Sequence, residues 1–69
     1  MIRKGTEVKW NWGNGYATGK VEETYSKKIT KTIKGTEVTR NGENNNKALY
    51  IKLDDGNYAL KSESEVERM

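Results

Sequence analysis

Glycine and asparagine punctuate this sequence at Gly13-Asn14-Gly15, Lys34-Gly35, Asn41-Gly42 and Asp55-Gly56, with short β-branched or aromatic runs between them and no proline anywhere. Turn signals at that spacing read as successive hairpins. The first can be given a register. If Asn14-Gly15 is a two-residue turn, Trp12 faces Ala17, Trp10 faces Gly19 and Val8 faces Val21, so large side chains meet small ones. A three-residue turn over 13–15 would set Trp10 against Thr18 and Val8 against Lys20, a poorer face to bury. The two-residue register is therefore expected, with Ala17 and Gly19 leaving room for indole rings.

Near the other end, a turn closed by Asp55-Gly56 pairs Leu53 with Tyr58 and Ile51 with Leu60, adds Leu49 to that face, and sends Tyr50 and Lys52 the other way. Between these hairpins, ITKTIKGTEVTR (Ile29 to Arg40) offers Ile29, Ile33 and Val38 inward around a Lys34-Gly35 turn. Lys31 shares the parity of both isoleucines, so it must reach out at an edge or sit by a bulge. After Lys61, SESEVERM holds two candidate capping boxes, Ser62 with Glu65 and Ser64 with Glu67, and a helical turn there would place Val66 and Met69 on one side. The expected core is Val8, Trp10, Val21, Leu49, Ile51, Leu53 and Leu60. Sixty-nine residues are too few for two large sheets. The fold expected is all-β, a five-stranded SH3-like small barrel with a short C-terminal helical turn, one domain over residues 1–69. Its longest polar loop runs from Arg40 to Ala48.

Composition narrows what such a barrel can do. The chain has no cysteine and no histidine, which removes disulfides, thiol nucleophiles, thiolate zinc sites and the commonest general base. Apolar residues make up 32% and never form a run near the roughly 20 needed to span a membrane, so no membrane partner is expected. The opening MIRKGTEV develops no apolar central stretch; a signal peptide is not expected, and a cytoplasmic monomer is. The glycines do not make a phosphate cradle. Gly13, Gly15 and Gly19 miss the GxGxxG spacing, and the KVEETY that follows reads as strand where a dinucleotide site needs a helix. A Walker loop fails too, because Asn14 stands where glycine is required and Val21 follows Lys20. No cofactor is implied. The only adjacent acidic pairs are Glu22-Glu23, which point to opposite faces of a strand, and Asp54-Asp55, which belong to a turn, so a non-catalytic chain is expected.

Binding remains. Lys27, Lys28, Lys31, Lys34 and Arg40 cluster within fourteen residues against Glu37 alone, an excess that attracts phosphate although the net charge is only +3. Tyr25 and Tyr50 could add base stacking beside them. The plainer reading of such lysines is a solvated edge that discourages strand-to-strand aggregation. A protein or peptide ligand is the alternative, read by Trp12 and Tyr16 at the first turn. Alternation sends those two to opposite faces, and Trp10 with Tyr58 is more simply core.

KGTEVKWNWGNGYATGKV, TIKGTEVTR, the DDGN turn and LKSESEVE together resemble the Tudor domain of hypervirulence-associated proteins, over nearly the whole chain. The segment carrying most of the resemblance is Trp-x-Trp-Gly-x-Gly (Trp10, Trp12, Gly13, Gly15) with Gly19 and Val21, then Gly35, Thr39-Arg40, and Lys61 with Ser64-Glu65. The resemblance implies an SH3-like Tudor barrel and no particular activity. The chain departs from the pattern at Asn44 to Lys47, where a proline would be expected. GTEVKW followed by GKVEE also resembles the KOW segment of ribosomal and transcription-factor barrels, a pattern that mostly marks a barrel's first hairpin.

Overall fold

In the computed structural model, which describes residues 2–69, the chain forms β1 (Glu7–Trp12), β2 (Gly15–Tyr25), β3 (Ile29–Ile33), β4 (Thr36–Arg40), β5 (Ala48–Leu53), β6 (Tyr58–Ser62), a 3-10 turn (Glu63–Glu65) and β7 (Glu67–Arg68). The all-β class is as expected. Seven strands appear instead of five, in a five-stranded antiparallel sheet of order β6-β5-β2-β1-β7 and a separate β3–β4 hairpin. No hydrogen-bonded ladder joins hairpin to sheet among the described residues, so the wall stays open beside β6. The sheet bends within β2, the eleven-residue strand, at a bulge between Val21 and Glu23 that interrupts the pairing with β5.

Turn chemistry sets the registers, and two differ from the sequence reading. The β1–β2 turn is Gly13-Asn14, with Trp12 opposite Gly15, Trp10 opposite Ala17 and Val8 opposite Gly19. Gly13 takes φ +58, which puts glycine at the first central position, the residue a type II′ turn demands. This is a shift of two residues, so every side chain keeps its face and the buried set survives. Gly19 serves a different purpose from housing an indole. A Cβ there would lie 2.6 Å from the Lys52 carbonyl oxygen and 2.7 Å from Ile51 Cγ2, so glycine lets β5 approach.

At β5–β6 the shift is one residue. Tyr50 stands opposite Leu60 and Ile51 opposite Ala59, because the loop is three residues long, Asp54 to Gly56, with Gly56 at φ +93. The Leu53 N–H bonds to the Asn57 carbonyl at 2.7 Å, and the Asn57 N–H donates to Asp55 Oδ1 at 3.0 Å. The slip turns Ala59 toward the core cluster and sends Leu60 to the face of Tyr50 and Tyr58, which lies against the β3–β4 hairpin. The Lys34-Gly35 turn is where the sequence puts it, with both residues at positive φ (+52 and +78).

The core is Ile2, Val8, Trp10, Val21, Leu49, Ile51 and Val66, with Ala17, Leu53 and Ala59 packed against it. Leu53 is only partly buried, and Leu60, although 2% exposed, lies outside this cluster. The C-terminal expectation needs correction. The Ser62–Glu65 capping box is used, with the Ser62 N–H donating to Glu65 Oε1 at 2.8 Å, but the helical turn ends at Glu65. Val66 is extended and buried while Met69 is exposed, because the chain leaves the turn to pair Glu67 and Arg68 with β1.

Candidate functional site

The residues expected to form one basic edge separate into three groups. Lys27 and Lys28 are exposed in the β2–β3 connection, and Lys34 is exposed at the tip of the β3–β4 hairpin. None of these three is in an ion pair among the described residues. Lys34 is close enough to Asp55 for its charge to act on that carboxyl, which hydrogen bonds from Asn57, the backbone one foremost, hold below its ordinary value.

Lys31 forms the second group. Its ammonium lies 5.3 Å from the ring centre of Tyr25 and 5.0 Å from that of Tyr50, and Tyr50 stacks on Tyr58 at 4.8 Å with the rings 9° from parallel. The parity of Lys31 with Ile29 and Ile33 has its reason here: β3 is an edge strand of a two-stranded sheet, and the lysine reaches tyrosine rings of the five-stranded one. The hairpin's inner face meets a tyrosine cluster that a cation can cover. Tyr25 and Tyr50 are thus drawn together, and their facing rings are taken up by the protein's own lysine.

Arg40 stands apart again. Its Nε donates to Glu65 Oε1 at 2.9 Å and its Nη1 to the Thr39 carbonyl at 3.0 Å. Partial burial works against a charged Glu65, but the Arg40 and Ser62 N–H hydrogen bonds outweigh it, and the carboxyl titrates below its ordinary value of 4.5. Arg40 is in this way fixed to the 3-10 turn.

What joins members of the two expected sets is a groove of about 590 Å³ beside the open wall, with Trp10, Trp12, Ile33, Val38, Tyr58 and Leu60 among its walls. Lys34, Arg40, Lys61 and Asp55 also line it. Trp12, 73% exposed, stands opposite a glycine, so no cross-strand side chain covers it there. Trp10, two residues earlier on the same face, is 7% exposed and belongs to the core. Tyr16, 64% exposed, is on the other face of the hairpin with Lys9 5.6 Å from its ring centre, so Trp12 and Tyr16 do not converge. Tyr58 was expected in the core, and Lys61 was not among the expected site residues. The slip at the β5–β6 loop changes Tyr58's neighbours, and no periodic signal marks Lys61.

Residues 5–66 match the Tudor domain of hypervirulence-associated proteins. The chain belongs to this family. No curated protein and no solved structure matches it. The family makes the chain a small Tudor-like binding module of unassigned role, and four of the positions that carried the resemblance, Trp10, Trp12, Arg40 and Lys61, are on the groove of this Tudor domain. Among the described residues no group of three or more acidic, histidine or cysteine side chains is placed to hold a metal ion. Nor, among the described residues, is any helix long and apolar enough to cross a membrane.

Proposed function

We propose that this Tudor domain is a non-catalytic SH3-like barrel, open beside β6, that holds single-stranded nucleic acid weakly through the cations of its β3–β4 side. The observation that carries the reading is the exposure of Lys27, Lys28 and Lys34, at the base and the tip of one hairpin, without ion-pair partners among the described residues. A five-residue strand runs about 16 Å, so these charges span a length over which several phosphates of one strand can be met. A peptide read by Trp12 and Tyr16 together is less well supported, because the two rings stand on opposite faces of their hairpin.

Titration of the protein with a mixed pool of RNA or single-stranded DNA, followed by amide chemical shifts, tests this. Binding is expected to weaken steeply with salt, each neutralised phosphate contributing about −0.7 to the log-log slope, so three contacts give roughly −2. Lys27→Glu with Lys28→Glu should abolish it at an unchanged melting temperature. Lys31 is the wrong choice for that experiment, since it packs on Tyr25 and Tyr50. No affinity at low salt, or a double variant that binds like the parent, would remove nucleic acid as the ligand.

A further inference from the structure

The groove asks for a ligand with two properties at once. Its walls are indole, phenol and aliphatic surface, yet Lys34, Arg40 and Lys61 line it against the single carboxylate of Asp55. A purely apolar occupant would strip water from the cations and give them nothing in return. A bare polyanion would leave the exposed indole of Trp12 unused. A nucleotide carries a flat apolar base and a negative charge within one unit, and a cleft near 590 Å³ lies inside the ~300–1,000 Å³ range of small-molecule sites.

We propose, resting on the nucleic-acid reading above, that this groove seats one unpaired nucleotide of a bound single strand, with its base on Trp12 and its flanking phosphates at Lys34, Arg40 and Lys61. Three features of the structure suit it to that task. Trp12 extends a strand whose neighbouring tryptophan is anchored in the core, so the stacking surface is held on a rigid support. Gly15 opposite leaves no side chain to cover the ring from across the hairpin. The Arg40 guanidinium is already oriented: of its five N–H donors, those on Nε and one on Nη1 are engaged by Glu65 and Thr39, and the remainder are free for an anion. Glu65 is accordingly a positioning residue.

The subsite selects for strand state. In a duplex each base keeps its faces against its neighbours and cannot reach an indole inside a groove, whereas an unpaired base can be splayed onto it. The preference is expected to be for single strands of either sugar and to be tolerant of sequence, since every base offers a π-face.

The decisive variant is Trp12→Ala, with Trp12→Phe beside it; the exposure of Trp12 lets both be made without touching the core. The probes are a short mixed-sequence single-stranded DNA oligomer, the same oligomer annealed to its complement, and an oligomer of equal length with its bases removed. Trp12→Ala should weaken binding of the intact single strand about 5- to 150-fold, the factor that corresponds to losing one base–aromatic stack. It should leave the abasic oligomer and the salt slope unchanged, and Trp12→Phe should restore most of the affinity. Binding of the duplex should be unaffected by Trp12→Ala. Equal binding of the intact strand by parent and Trp12→Ala would overturn the subsite. If the Trp12 variant binds like the parent while Lys27→Glu with Lys28→Glu still abolishes binding, the subsite falls and the nucleic-acid reading stands. If the parent binds none of the three probes, both fall together.

Discussion

At the scale of single residues, Gly42 illustrates how a turn signal can be correctly noticed and wrongly explained. Asn41-Gly42 reads in the sequence as another turn, but Gly42 is not at positive φ. It is buried, its N–H donates to the Lys27 carbonyl at 3.0 Å, and a Cβ would run into the Tyr25 carbonyl and come within 2.7 Å of that of Lys27. The missing side chain is what brings the long polar loop against the end of β2. Gly42→Ala should therefore cost about 1–3 kcal/mol through overpacking against backbone that has no rotamer to change. A thermal melt reads the loss, and amide shifts at Lys27 and Lys28 should show the connection displaced. A variant that melts like the parent would mean that the loop is not seated this way.

Between elements, the 3-10 turn is tied to β4 by Glu65, whose one oxygen accepts from both Arg40 and the Ser62 N–H. Its carboxyl is held below 4.5 in the native state, so its contribution to stability is complete above that value and is lost as pH falls through the lower native one. Between neutral pH and acid, the parent's melting temperature should accordingly drop more than that of Glu65→Gln. Asp55 titrates in the same direction in both proteins and cancels from the comparison. Equal slopes in the two would break the assignment. The hairpins show which local features a sequence can carry. Lys34-Gly35 was legible because glycine at the second centre of a tight turn leaves few alternatives. Gly13-Asn14-Gly15 offers two overlapping two-residue turns, and face burial cannot separate registers that differ by two. The β5–β6 loop gained its third residue from an Asp55 side chain bonding to Asn57, an interaction that Asp-Gly alone does not announce.

For the whole molecule, the core rests on few side chains, so one of them can decide stability. Trp10→Ala should cost about 3–5 kcal/mol, a large part of the roughly 3–10 kcal/mol expected of a chain this long. A melt within a degree or two of the parent would refute the inward placement of Trp10. Six of the seven core residues expected from alternation are buried, and Leu53 is half-buried. Ile2 and Val66 are not in the core expected from alternation because they lie outside any alternating run, in the segments that close the ends of the sheet. The groove was hidden for a different reason. In the sequence Trp12 points to a peptide, Lys34 and Arg40 to nucleic acid, and only the packing of β3–β4 against β6 makes the three neighbours.

The pairing of β7 with β1 joins Val8 to Arg68, and Met69 donates its N–H to the Glu7 carbonyl at 3.0 Å. Nearly the full length of the polypeptide is looped between those partners, whereas each hairpin closes over a handful of residues. The entropy of drawing these two segments together must be met before their few hydrogen bonds return anything. On loop entropy alone, the two-residue strand is expected to pair after the hairpins and to open before them, drawing Val66 from the core as it goes; faster amide exchange at Met69 than within β1–β2 is the measurable sign.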